Sequence, residues 1–217
     1  MELVKGLLDL LYPRRCAFCH RITPYGEPLC KSCAGKLPLT LGLEQRQKLS
    51  HIPICVSPLR YEGDVRRSLL RYKFQGRREY AKIYGDFLSK CIDENEISCD
   101  IITWVPLSRK RLRRRGYDQA RLLAEELAAR TGLPCEGLLR KTRNNPAQSG
   151  RGSAEKRRAN VLGVYAPVKE QEIQGKRVLL VDDIVTTGAT LSACAQVLRA
   201  AGADRVSACT VARTEKR

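Results

Sequence analysis

Aromatic side chains make up only 6% of the 217 residues, so no row of stacking platforms for single-stranded nucleic acid is evident. No apolar run approaches the roughly 20 residues needed to cross a bilayer. Gly-x4-Gly-Lys-Ser/Thr is missing, and so is a Rossmann fingerprint, which removes a P-loop and a dinucleotide fold as readings. The N-terminal stretch Met1–Leu11 has Leu3, Val4, Leu7, Leu8 and Leu11 at helical spacing, but among Glu2, Lys5 and Asp9 and with no small-residue cleavage site. It does not read as a secretory leader. There is no internal repeat and no low-complexity tract. The expected compartment is cytoplasmic and reducing.

In such a compartment the 10 cysteines point to metal rather than disulfides. Cys16-Ala-Phe-Cys19 and Cys30-Lys-Ser-Cys33 are two C-x2-C pairs with ten residues between them. Pro24, Gly26 and Pro28 mark a turn in that spacer. Four thiolates fit tetrahedral Zn²⁺ and leave no open position, so the zinc is expected to be structural. A thioredoxin-like redox role would need a βαβ context, which is not visible here. His20 reads as a bystander. Cys55, Cys91, Cys99, Cys135, Cys194 and Cys209 are singly spaced and read as small core residues.

Forty Lys and Arg against 23 Asp and Glu leave a net charge of +17. Residues 101–160 alone carry 15 basic and 5 acidic side chains, and six of the seven residues from Arg109 to Arg115 are basic. Such a surface suits a polyanion, either a pyrophosphate or nucleic acid. A solvated helix face that balances an acidic pocket is the plainer reading.

The most informative stretch runs from Val178 to Thr190. Val178-Leu179-Leu180-Val181 reads as a buried central strand, closed by Asp182 and Asp183. Thr186-Thr187-Gly188-Ala189-Thr190 then opens a helix running to about Ala200. Backbone N–H groups and hydroxyls of such a turn converge on an anion, with the positive end of the helix behind them. Acids at the carboxyl end of a strand stand where open α/β sheets bind ligands.

This stretch resembles the phosphoribosyl-pyrophosphate (PRPP) motif of type I phosphoribosyltransferases. The resemblance implies that Asp182 and Asp183 hold the ribose hydroxyls. It implies that Thr186, Thr187, Gly188, Ala189 and Thr190 hold the 5′-phosphate. The resemblance also implies that the loop Leu107-Ser108-Arg109-Lys110, which follows the strand Asp100–Val105, takes the pyrophosphate. Together with the cysteine pairs, the motif resembles the ComF family, in which a short zinc ribbon is fused to a phosphoribosyltransferase-like domain. That family is associated with natural competence, the uptake of DNA by bacteria. Arg115-Gly116-Tyr117-Asp118-Gln119-Ala120 resembles its Arg-Gly-Phe-Asn-Gln-Ala, with Tyr117 and Asp118 as departures. Lys73-Phe74-Gln75-Gly76 matches its Lys-Phe-x-Gly stretch. Lys73 itself reads more readily as a solvated helix-end lysine than as a site contact. Arg143, Gln148 and Ser149 match polar positions of the family's flexible loop, so residues 144–156 are expected to close over the pocket.

The expected architecture is α/β with a mostly parallel sheet of the type I phosphoribosyltransferase kind. An N-terminal helix and zinc ribbon (1–57) precede the phosphoribosyltransferase-like domain (58–217). The resemblance implies Mg²⁺ with PRPP and transfer of a phosphoribosyl group with release of pyrophosphate. The acceptor is not legible, and no residue can be named as a catalytic base. The alternative is a non-enzymatic PRPP-responsive adaptor in DNA uptake, with single-stranded DNA or competence proteins as partners.

Overall fold

The computed structural model describes residues 14–24, 27–142 and 163–215. The N-terminal stretch Met1–Leu11, and the loop carrying Arg143, Gln148 and Ser149, lie outside the described residues.

Strands β1 (Arg46–Leu49), β2 (Ile52–Val56), β3 (Leu59–Arg60), β4 (Ile101–Trp104), β7 (Arg177–Val185) and β8 (Arg205–Arg213) make one six-stranded sheet. Its order is β1-β2-β8-β7-β4, with β3 also on β8. Only the β1–β2 pairing is antiparallel. Between β4 and β7 in sequence lies β5 (Leu139–Lys141), which pairs antiparallel with β6 (Tyr165–Pro167) outside the main sheet. The helices are α1 (Lys31–Ala34), α2 (Gly63–Phe74), α3 (Tyr80–Glu94), α4 (Arg109–Arg115), α5 (Gln119–Thr131), α6 (Glu170–Ile173) and α7 (Ala189–Ala200). Residues 46–56, which the sequence groups with the zinc-ribbon segment, join the main sheet through β2 and β8.

Successive side chains of a strand point to opposite faces. An unbroken apolar run therefore supplies two cores. Leu179 and Val181 pack into one cluster with Leu69 and Tyr72 of α2, Tyr84 and Leu88 of α3, and Leu123 and Leu127 of α5. Val178 and Leu180 pack into the other with Leu191, Cys194 and Leu198 of α7 and Tyr165 of β6. Each fully buried aliphatic side chain contributes about 1.5–3 kcal/mol. The central strand is thus clamped between two helical layers, as a parallel sheet requires.

The same alternation places the acids. Asp183 has the parity of Leu179 and Val181 and lies on the α2 side. Asp182 has the parity of Val178 and Leu180 and lies on the α7 side.

Candidate active site and metal centre

The strand does not stop at the acids. β7 continues to Val185 because β8 stays paired beside it, Asp182 opposite Thr210 and Val185 opposite Arg213. The carboxylates are therefore held by ladder hydrogen bonds on both sides of them rather than on a loop. Asp182 Oδ1 also accepts a 2.8 Å hydrogen bond from the Asp183 N–H. Burial pushes the Asp182 carboxyl up to about 8, and the neighbouring Asp183 charge adds to this.

Asp183 is buried, and its counter-charge is Lys73, whose Nζ stands 2.9 Å from Asp183 Oδ1 with both side chains largely covered. The expectation of a solvated lysine is thereby corrected. Lys73 lies in the last turn of α2, and the packing of that helix on the sheet aims its stem at the acid pair. A buried carboxylate demands such a partner. Sequence could not supply it, because more than a hundred residues separate the two.

After Val185 come Thr186 and Thr187, both exposed. Gly188 follows in the left-handed region (φ 74) as N-cap of α7, a conformation that glycine adopts without a Cβ clash. Ala189 N–H points back to Thr187 Oγ1 at 3.4 Å. Ala189 and Thr190 are exposed, so hydroxyls and first-turn amides of a twelve-residue helix face outward at the end of the sheet.

The Leu107–Lys110 segment is only partly a loop. Val105 N–H still bonds Val181 O at 3.0 Å, so the chain leaves the sheet beside the acids. Ser108 then caps α4 through Arg111 N–H at 3.3 Å, and Arg109 and Lys110 form its exposed first turn. Asp118, one of the two departures from the family pattern, explains the local geometry. Its Oδ2 accepts from Leu107 N–H at 3.1 Å, and its Oδ1 accepts from Arg121 N–H at 3.3 Å as N-cap of α5. Tyr117, the other departure, donates its hydroxyl to Tyr72 O, and Tyr72 OH donates to Gln119 O at 2.9 Å. These bonds tie the Arg-rich segment to α2.

Further cations ring the acids. Arg115 stacks on Phe74 at 4.9 Å, bonds Gln119 Oε1 at 2.7 Å, and feels the Asp183 charge. Lys141 on β5 approaches Tyr165 OH at 3.4 Å. Burial lowers the Lys141 pKa, and the Arg111 charge lowers it further. Arg115 and Lys141 were missed from sequence. Arg115 opened a motif match without being assigned a site role, and Lys141 had no signal beyond its basic surroundings; which basic residue turns inward is decided by packing.

Alongside α2, the four thiol sulfurs of Cys16, Cys19, Cys30 and Cys33 lie within 4.8 Å of one another. Cys19 and Cys30 sulfurs are 3.7 Å apart. Four sulfurs at a Zn–S distance of about 2.3 Å stand about 3.8 Å apart in a tetrahedron, so the donor set fits zinc. The two pairs are shaped differently. Cys16–Cys19 is a turn closed by Cys16 N–H to Arg21 O at 2.8 Å, with His20 at φ 65. Cys30 caps α1, whose first turn carries Cys33. Burial opposes ionisation of Cys19, but hydrogen bonds from Arg21 and the neighbouring thiols outweigh it and hold the thiol down at about 6. His20 stays outside the cluster. No helix among the described residues is long and apolar enough to cross a membrane.

Comparison with known proteins agrees with both halves. Residues 114–217 match the phosphoribosyl transferase domain, and residues 7–43 match the double zinc ribbon domain. Competence protein ComFC of Streptococcus pneumoniae is 32% identical over 186 residues, 83% of this chain and 79% of that protein. DNA utilization protein YhgH of Salmonella typhimurium is 34% identical over 209 residues, 92% of this chain and 90% of that protein. Competence protein F of Haemophilus influenzae is 35% identical over 111 residues, and the match spans only 48% of its length. Among solved structures, a glutamine PRPP amidotransferase from B. subtilis superposes with a TM-score of 0.44 at 26% identity, covering 64% of this chain and 30% of that one. The zinc-ribbon and transferase halves occur in one chain, and two relatives match it along most of their lengths. The chain therefore belongs to the ComF family of competence and DNA-utilisation proteins.

Proposed function

We propose that this chain binds PRPP with Mg²⁺ and transfers its phosphoribosyl group to an acceptor with release of pyrophosphate, in a cytoplasmic step linked to DNA uptake. The observation that carries the reading is the order of groups along β7 and α7. Two carboxylates on a paired strand are followed, after Ile184 and Val185, by an exposed Thr-Thr segment, Gly188 and a helix start. Ribose hydroxyls donate to carboxylates, and a 5′-phosphate accepts from amides and hydroxyls. Mg²⁺, a hard cation, suits the diphosphate and ribose oxygens. Asp182 and Asp183 would support positive charge developing on the ribose, and Arg109 and Lys110 would face the leaving pyrophosphate, where a bound Mg²⁺ would supply further positive charge.

Calorimetric titration of PRPP with Mg²⁺ tests binding. A pyrophosphate-release assay with nucleobases, amines and single-stranded DNA tests turnover. Asp182→Asn with Asp183→Asn should weaken PRPP binding by about 2–5 kcal/mol, since charge-assisted bonds are lost non-additively. An unchanged dissociation constant with the fold intact would place the site elsewhere.

A second reading is a PRPP-responsive adaptor that holds nucleic acid without turnover. It is favoured by α4, six of whose seven residues are basic and none buried. Absence of pyrophosphate release with every acceptor of the panel, despite PRPP binding, would support it.

A further inference from the structure

One helix touches both functional centres. Ser68 Oγ donates to Ala17 O at 2.5 Å and shares a 2.6 Å hydrogen bond with Tyr84 OH. Arg71 Nη2 donates to Ala17 O at 3.2 Å and to Phe18 O. Those two carbonyls belong to the residues between Cys16 and Cys19, so one guanidinium nitrogen of Arg71 closes on the backbone of the first cysteine turn. Two residues further along α2, Lys73 makes its 2.9 Å contact with Asp183. Between them Tyr72 is locked at both ends, its hydroxyl on Gln119 O and its carbonyl under Tyr117 OH. We infer that Arg71 is a positioning residue that couples the cysteine-bound metal to the acid pair. It grips the metal-shaped turn and so sets the end of α2 from which Lys73 reaches Asp183.

The physical case rests on what each partner can do alone. A helix frays in its last turn, where carbonyls lack partners, and Lys73 sits in that turn. Its ammonium could hold a carboxylate in place only if the turn is itself held. The Cys16–Cys19 turn supplies a rigid anchor when four thiolates converge on one ion. Ala17 and Phe18 have no exposed surface to speak of, so their carbonyls are taken by α2 rather than by water. Both bonds come from Arg71 Nη2, which the rigid guanidinium plane holds in one place, whereas a lysine ammonium ends on a flexible stem. Coupling of this kind is reciprocal. Whatever favours the Lys73-engaged state also favours the metal-shaped turn.

The PRPP part of the test rests on the function proposed above, so a ligand-free measurement stands beside it. Zinc-loaded wild type, Arg71→Met, Arg71→Lys, and Arg67→Met as a charge control are compared. Arg67 lies on the same helix, exposed, and pairs with Asp64 at 2.6 Å. Lys73 reactivity toward an acylating reagent is read by mass spectrometry, zinc content by elemental analysis, and PRPP affinity by calorimetry. Arg71→Met is expected to keep its zinc, speed Lys73 acylation about fivefold and weaken PRPP by about fivefold, the lower end of site-to-site coupling. Arg71→Lys should fall between it and wild type, and Arg67→Met should match wild type. Should Arg71→Met fail to fold, Ser68→Ala replaces it, with the same direction expected. Wild-type Lys73 reactivity in a zinc-loaded, folded Arg71→Met or Ser68→Ala protein overturns the coupling. Absence of PRPP binding in wild type overturns the function proposed above, and acylation alone then decides the coupling.

Discussion

Among the carboxylates, Asp182 departs far from its ordinary state, its carboxyl pKa raised by burial from 3.8 to about 8. Because the folded form holds the proton more tightly than the unfolded chain, this group's contribution to stability is full below pH of about 4. It is lost as pH rises toward 8. Asp182→Asn should therefore flatten the fall in stability over that window, read from urea unfolding at several pH values. Under the proposed function, ribose hydroxyls and Mg²⁺ both favour the ionised carboxylate, so binding of PRPP with Mg²⁺ near neutral pH should release a proton. Titrations in buffers of different ionisation enthalpy would detect it, and the release should vanish well above pH 8. Lys73→Met removes the counter-charge of buried Asp183. Breaking one side of such a pair costs about 3–5 kcal/mol, measurable as a lower urea midpoint. A loss under about 1 kcal/mol would mean that the pair is solvated in solution.

At the scale of elements, α4 separates surface from scaffold. Changing Arg111, Arg113 and Arg114 together to Ala should leave stability within about 0.5 kcal/mol, since no residue of this helix is buried. The same change should weaken binding of single-stranded DNA and lower its log–log salt slope by about 2. Fluorescence anisotropy at several salt concentrations measures both, and intact DNA binding would move that surface elsewhere. The contrast shows what the sequence could tell. The strand Val178–Val181, the acids and the start of α7 are contiguous, so local pattern announced them. The four thiols were legible because two pairs have metal spacing. Lys73 reaches Asp183, and Arg115 and Lys141 come within electrostatic range of the acids, only through packing of α2, α4 and β5, and no spacing rule connects them to residue 183. The continuation of β7 past the acids was likewise hidden, because it depends on β8 remaining alongside. The loop carrying Arg143, Gln148 and Ser149 lies outside the described residues, and its closure over the pocket belongs with the proposed function.

At the scale of the molecule, the zinc segment and the transferase-like part share one core. Sequence alone suggests that losing the metal would spare residues 100–217. Packing argues otherwise. Phe18, between the first two cysteines, is fully buried and meets Tyr84 and Phe87 of α3 edge-to-face at 6.1 and 6.0 Å. Cys16, Ala17, Phe18 and Cys33 lie in the same apolar cluster as Leu179, Val181 and Cys209 of the central strands. Phe18→Ala should cost about 3–5 kcal/mol, the usual range for emptying an aromatic site in a core. Cys16→Ser with Cys19→Ser removes the metal and releases that ring as well as the carbonyls gripped by Ser68 and Arg71. The whole chain should then melt earlier by on the order of 10 °C, since each kcal/mol shifts a domain of this size by about 2–4 °C. It should still melt in one transition, with hydrogen exchange accelerating in α3 as well as in the cysteine turns. Calorimetry of the zinc-loaded and serine-substituted proteins decides this. Two separate transitions, the later one unmoved, would mean that the two parts fold independently and that the Phe18 contact does not couple them.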